Sequence, residues 1–270
     1  MDKHVLLIGA GNMGFAMLKG WLRANSSIKF YVVDPVEANC DRASELGANA
    51  YLSISELPKD LTADLTVLAV KPQMVTGIVA ELTANELGHG TLLSVAAGIT
   101  LKTISNASSD GTKIIRCMPN TPAAIGQGMM VLVADKNVEM LDREFATLLM
   151  KSSGAVAWID DENLMNAVTA ISGSGPAYIF HFIEALSNAA TALGLPDQIA
   201  GQLALQTVMG AGAMAASSQE SPTNLRKNVT SPNGTTEAAL NILMKDGALE
   251  DLIKSATRAA RDRGIELSKT

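Results

Sequence analysis

The strongest constraint on the fold lies at Val5-Leu6-Leu7-Ile8-Gly9-Ala10-Gly11-Asn12-Met13-Gly14, where an apolar run of strand length meets Gly-x-Gly-x-x-Gly. Each glycine has a physical purpose: Gly9 permits a tight turn, Gly11 lets backbone N–H groups approach a pyrophosphate, and Gly14 allows close helix packing. Three glycines alone are a weak signal, because a structural turn has the same spacing. Context separates the two. Met13, Phe15, Met17, Leu18, Trp21 and Leu22 supply an apolar helical face starting just after Gly11, and a second strand, Phe30-Tyr31-Val32-Val33, ends at Asp34.

A dinucleotide is therefore expected against Ile8, Gly9, Gly11, Asn12, Met13 and Gly14. Asp34 stands where a carboxylate can accept hydrogen bonds from both adenosine ribose hydroxyls and repel a 2′-phosphate, which favours NADH over NADPH. Asp34-Pro35 is also ordinary turn chemistry, and Arg42, eight residues on, could rescue a 2′-phosphate, so both cofactors stay open. Ligands of open α/β sheets bind beyond the carboxyl ends of strands, which places Val70-Lys71-Pro72 and Ala96-Ala97-Gly98 beside ribose and nicotinamide. Lys71 either faces the cofactor or caps its strand in water. Asn120, in Met118-Pro119-Asn120-Thr121-Pro122, is either an amide donor to nicotinamide or substrate, or turn chemistry between prolines.

Strands are expected at 5–8, 30–33, 65–70, 91–94, 113–118, 129–134 and 155–159, with a helix at 142–151 between the last two; strands alternating with amphipathic stretches indicate a parallel sheet. After residue 160 strand-like runs give way to helical patterns at 161–171, 175–193, 196–218, 221–229, 233–246 and 248–268. The expectation is an α/β Rossmann-type domain over 1–160 and an all-α domain over 161–270. Pro176 follows the flexible-looking Ser172-Gly173-Ser174-Gly175 as a first-turn proline, and Pro196 opens the next helix.

Composition narrows the function. Only 18% of the 270 residues are charged, aromatics make up 4%, and the net charge is −6, which argues against a disordered chain, a base-stacking platform or an anionic-surface binder. Cys40 and Cys117 lack metal or disulfide spacing and read as buried thiols in a reducing cytoplasm, and the apolar start is too short for a signal peptide. No metal site is expected. The uncharged run 198–219 is long enough to cross a bilayer, but its glutamines favour a soluble buried helix.

Carbonyl reduction wants a proton donor such as His, Lys or Tyr. His4, His89 and His181 read as structural, and the second domain has no lysine before Lys227. An iminium acceptor would need less, because its positive charge already favours hydride attack. Two hydroxyl-rich segments can serve it: Thr169-Ala170-Ile171-Ser172-Gly173-Ser174-Gly175-Pro176-Ala177-Tyr178, and Asn228-Val229-Thr230-Ser231-Pro232-Asn233-Gly234-Thr235-Thr236-Glu237. In the second, Thr230 or Ser231 can cap a helix beginning near Asn233, whose first-turn N–H groups suit a carboxylate or are merely capped.

These two segments, together with Ala69-Val70-Lys71-Pro72, Ala96-Ala97-Gly98 and Arg116-Cys117-Met118-Pro119-Asn120-Thr121-Pro122 in this order, resemble the pyrroline-5-carboxylate reductase family along essentially the whole chain. The resemblance implies NAD(P)H-dependent reduction of the cyclic imine 1-pyrroline-5-carboxylate to L-proline, the last step of proline synthesis. It also implies a substrate-carboxylate site at Ser231, Thr235 and Thr236, an Asn228 that bridges cofactor and substrate, Thr169 near the imine nitrogen, and Glu162 at the pocket rim. Whether Thr169 or water gives the proton stays open. A homodimer through the C-terminal helices, assembled further into a pentamer of dimers, is implied as well, and it gives a purpose to the absence of Lys and Arg from 152 to 225.

Two departures stand out. Asn233 occupies a usual glycine position, which Asn tolerates through its access to left-handed backbone angles, and Asp34 replaces the smaller polar residues of NADPH-favouring members. A β-hydroxy-acid reductase of similar plan would carry a catalytic lysine after the glycine turn, where 176–184 has none; a non-catalytic cofactor sensor would not need the hydroxyl-rich loop.

Overall fold

The computed structural model describes residues 3–25, 27–87 and 90–268; His89 lies outside them. Contacts divide the chain into two units, Met1–Ser174 with Ala260–Thr270, and Gly175–Ala259. The expected break near 160 coincides with the end of the sheet, whereas the division between units falls at Ser174.

The first unit is an eight-stranded sheet, β1 (Lys3–Ile8), β2 (Ile28–Val33), β3 (Asn49–Tyr51), β4 (Leu65–Leu68), β5 (Thr91–Ser94), β6 (Ile114–Met118), β7 (Gly128–Ala134) and β8 (Gly154–Trp158), in the order β3-β2-β1-β4-β5-β6-β7-β8. All neighbours are parallel except β6 and β7. The order reverses at β1, and with helices on both faces this is the Rossmann-type plan. Both faces are buried: Val5 and Leu7 join one core with Met17, Leu18 and Trp21 of α1 (Asn12–Ala24), and Leu6 and Ile8 join another with Val79 and Leu82 of α3 (Val75–Ala84). The strand expected over 65–70 stops at Leu68, because Ala69 and Val70 turn against Gly9. Periodicity does not delimit α2 (Glu37–Glu45), α4 (Leu101–Ser105) or β3, which are too short or too polar to show it.

The helical stretch expected over 161–171 is present and runs on, which corrects the flexible turn expected at 172–175. A 3-10 turn at Glu162–Leu164, α6 (Met165–Val168) and a π turn at Thr169–Gly173 run on continuously, with Ser174 N–H donating to the Thr169 carbonyl at 2.8 Å. A Cβ on Gly173 would stand 2.7 Å from Met118 Cε, so the flexible end of that side chain would have to shift.

The second unit comprises α7 (Gly175–Ala192), α8 (Asp197–Ser217), α9 (Pro222–Asn228), α10 (Thr235–Leu243) and the first part of α11 (Ala248–Leu267). Gly194, at φ 94°, closes α7, with Leu195 N–H on the Ala190 carbonyl. The expectation of a buried 198–219 helix is overturned within the chain: only Ala200 and Ala204 of α8 are buried, while Leu205, Met209 and Met214 are more than half exposed. Length and composition would let α8 cross a membrane, but Gln198, Gln202 and Gln206 on three successive turns suit a protein surface better than lipid.

Helix α5 (Met140–Lys151) fills the first core and begins with a reciprocal capping box between Glu139 and Asp142. Burial by itself would raise the Asp142 carboxyl, but Lys113 Nζ at 2.8 Å and the Glu139 N–H outweigh it and hold the carboxyl below the ordinary range. The fold favours the ionised form, so this contribution is present at neutral pH and is lost as pH falls through the depressed value. Asp142→Asn is expected to lower stability by about 1 kcal/mol at pH 7 in urea unfolding, and the gap to the parent should close as pH drops below the ordinary carboxylate range.

Candidate functional site

The three motif glycines do different work. Gly9, at φ 94°, donates its N–H to the Val33 carbonyl at 2.8 Å, and a Cβ on it would meet the Ala69 carbonyl at 2.6 Å. A Cβ on Gly14 would stand 2.0 Å from the Gly9 carbonyl, which forces α1 to start tight against the turn. Gly11 faces open space and is the N-cap of α1 with no side-chain cap, so the first-turn N–H groups at Asn12 and Met13 are available to an anion. This is the arrangement a dinucleotide pyrophosphate needs.

Beside it lies a cleft of about 570 Å3 at the β1–β4 crevice, lined by Ile8, Gly9, Gly11, Asp34, Val70 and Lys71 and walled by Val36, Leu52, Met74 and Ile78. Asp34 is 5% exposed: its Oδ2 accepts from Ala10 N–H at 2.7 Å, and its Oδ1 accepts from Val36 N–H at 2.9 Å and from Asn39 Nδ2 at 3.1 Å. The carboxylate thus braces the glycine loop while lining the cleft. Beneath it, Cys40 Sγ donates to the Asp34 and Tyr51 carbonyls, and burial pushes the thiol up. The Arg42 guanidinium stacks on the Phe15 ring, 3.8 Å from its centroid. Lys71 lines the cleft at the start of the 3-10 turn Pro72–Met74.

Beyond β5, Ala96 donates its N–H to Ser94 Oγ, Ala97 is exposed, and Gly98 turns at φ 78° with the Leu267 carbonyl 3.7 Å from its Cβ position. Glu162 and Asn120 are both partly engaged within the protein. Glu162 Oε1 accepts from Arg116 Nη1 and from Leu101 N–H at 2.7 Å. Asn120 Nδ2 donates one proton to the Ser172 carbonyl at 2.9 Å, and its Oδ1 accepts from Met129 N–H at 2.8 Å. Thr169 is half-buried, and its hydroxyl proton goes to the Met165 carbonyl at 2.8 Å, leaving the oxygen lone pairs for a ligand. Arg116 was missed as a residue of interest in its own right; its signal was a cation in an otherwise apolar strand, which has to find a partner.

In the second unit Ser231, Thr235 and Thr236 gather at the mouth of α10. The expected cap is corrected: α10 starts at Thr235, its N-cap is Gly234 with no side-chain bond, and Thr230 Oγ1 instead donates back to the Arg226 carbonyl at 2.6 Å. Gly234 N–H bonds the Ser231 carbonyl, and Asn233 N–H bonds Glu237 Oε2 at 2.7 Å, so the first-turn N–H groups of α10 stay uncapped. Asn233 adopts φ 61°, the left-handed angle that explains why Asn can stand there. Asn228 ends α9 with Nδ2 on Glu220 Oε2 at 2.9 Å. Cys117 is fully buried, which pushes its thiol up, and among the described residues no cluster of three His, Cys, Asp or Glu could hold a metal. His4 packs edge-on against Tyr31, and His181 is exposed beside Glu184.

Residues 162–267 match the pyrroline-5-carboxylate reductase dimerisation family, and residues 4–98 match the coenzyme F420-dependent NADP oxidoreductase family. The chain is 40% identical to the pyrroline-5-carboxylate reductase of Pseudomonas aeruginosa over 98% of its own length and 97% of the relative's. Its fold matches a pyrroline-5-carboxylate reductase from Coxiella burnetii (TM-score 0.93, 34% identity, 100% of both chains). It also matches the Plasmodium falciparum pyrroline carboxylate reductase with NADP bound (TM-score 0.83, 29% identity, 99% of this chain and 98% of that one).

The glycine geometry separates folding from binding. Gly11→Ala should melt within about 2 °C of the parent yet bind nicotinamide cofactor about tenfold more weakly by fluorescence titration. Gly14→Ala, which drives a Cβ into the Gly9 carbonyl, should lose about 2 kcal/mol of stability or more in urea unfolding.

Proposed function

This chain belongs to the pyrroline-5-carboxylate reductase family, and we propose that the α1 mouth serves hydride delivery and the α10 mouth substrate anchoring. It is an oxidoreductase that uses NAD(P)H to reduce the C=N bond of 1-pyrroline-5-carboxylate, giving L-proline in the last step of proline biosynthesis. The observation that carries the division of labour is the presence of two uncapped helix mouths: α1 beside the β1–β4 cleft, and α10 behind a hydroxyl-rich loop.

When bound, the reduced nicotinamide supplies the hydride to the imine carbon. The chain's residues do the rest. Gly9, Gly11, Asn12, Met13 and Gly14 would hold the pyrophosphate, with Ile8, Val70, Lys71 and Pro72 along the cleft, and Ala96, Ala97 and Gly98 would serve the nicotinamide end. Asp34, already fixed by three donors, offers its remaining lone pairs to the ribose hydroxyls and opposes a 2′-phosphate; this supports a preference for NADH. The α10 mouth, with Ser231, Thr235, Thr236 and Asn228, takes the substrate carboxylate. Thr169, whose proton is committed to Met165, acts as an acceptor that holds the iminium N–H and favours the electrophilic, protonated imine; water then protonates the amine product.

The apolar faces of α7 and α8, including Phe180 and Leu205, require a covering surface, and oligomerisation runs through this C-terminal unit. We assign the cover to a second copy in a homodimer, assembled further into a pentamer of dimers, and place the enzyme in the cytoplasm, in keeping with its buried free thiols.

Oxidation of NADH and NADPH with 1-pyrroline-5-carboxylate and with a 3-oxo acid tests the assignment: the imine should be turned over, and no turnover with either nicotinamide would sink it. Asp34→Ser should raise the NADPH-to-NADH ratio of kcat/KM about tenfold; an unchanged ratio rejects the ribose role.

A further inference from the structure

Arg116 has no part in the chemistry above, yet among the described residues it is the one buried cation. It lies in β6, opposite Ser94 of β5 and Val133 of β7, and is 7% exposed. A guanidinium cannot shed its charge, and left unpaired at that depth it would cost several kcal/mol. Glu162 therefore cannot leave it without a penalty that an exposed ion pair would not impose.

The same Glu162 oxygen also accepts the N–H of Leu101, so a single atom ties three segments. Leu101 opens α4 three residues after Gly98. Arg116 lies on β6 two residues before Met118, which ends the strand, and Asn120 follows at the start of the next turn. Glu162 begins the continuous helical stretch whose eighth residue is Thr169, where the π turn starts. At the far end of that stretch Asn120 holds the Ser172 carbonyl, so Thr169 is tied on both sides.

We propose that Arg116 and Glu162, with Asn120, are positioning residues that set Thr169 against the loop bearing Ala96–Gly98, and through it the imine against the hydride donor. This rests on Thr169 being the imine-orienting residue. None of the three lines the β1–β4 cleft, so the part of the cofactor held there should bind much as in the parent, while a misplacement of about 1 Å can cost about a hundredfold in turnover.

The test is steady-state kinetics with 1-pyrroline-5-carboxylate on Glu162→Gln, which keeps an oxygen for Leu101 N–H but removes the charge, and on Glu162→Ala, which removes both. The kcat should fall about tenfold in the first and about a hundredfold in the second, with cofactor KM within about twofold of the parent. Combined with Thr169→Val, Glu162→Gln should add no more than about twofold to the loss from Thr169→Val alone, because both act through one group. Independent, multiplying losses, an unchanged kcat, or a cofactor KM that rises as kcat falls would each overturn the proposal. If Glu162→Ala does not fold, Glu162→Gln decides; if Glu162→Gln does not fold either, the pair serves stability alone and the proposal fails. An inactive parent enzyme would instead defeat the functional assignment, and this proposal with it.

Discussion

The backbone leaves β1 through a gap that the Ala69 carbonyl closes to 2.6 Å from where a Cβ on Gly9 would stand. Since β1 is hydrogen-bonded on both sides, to β2 and to β4, the chain has no other way out of the sheet. Gly14 then presses α1 onto the Gly9 carbonyl, which fixes both the direction of the helix and the position of its mouth. The glycine loop proposed to cradle the cofactor is therefore shaped by close packing rather than by loop flexibility, and Asp34 braces it by holding Ala10.

A second theme is that the polar side chains around the site are mostly bonded within the protein. Asp34, Asn120, Glu162 and Thr169 each make internal hydrogen bonds. Such commitments hold a side chain in one rotamer, so that it need not reorganise when charge moves during reaction. They also decide what remains to offer: an oxygen that has given its proton to Met165 can accept from an iminium but is a poor donor.

The helical unit obeys a different constraint. Its helices leave Phe180, Leu205, Met209 and Leu252 about half exposed or more within the chain. Apolar surface on this scale is unfavourable in water and is stabilised by a covering surface. The long absence of lysine and arginine from 152 to 225 follows from the same requirement, because a buried cation without a partner would weaken such an interface.

Much of the fold was legible in the order of residues. The strand–glycine–helix pattern at 5–14, the apolar runs of the sheet and the change of texture near 160 are local signals, and they carried the Rossmann-type sheet and the helical second half. Asn233 was legible too, since its tolerance of left-handed angles is intrinsic. Short elements such as β3 and α4 were not, because three to five residues carry no period. What only the tertiary structure decided is which partners the polar groups take: Glu162 bonds Arg116, 46 residues away, Asn120 bonds Ser172, 52 residues away, and Arg42 stacks on the Phe15 ring. Sequence determines which groups are able to bond, but the choice among partners is made by burial, which makes every unpaired polar group costly and so selects the neighbour that the packed chain happens to bring within reach.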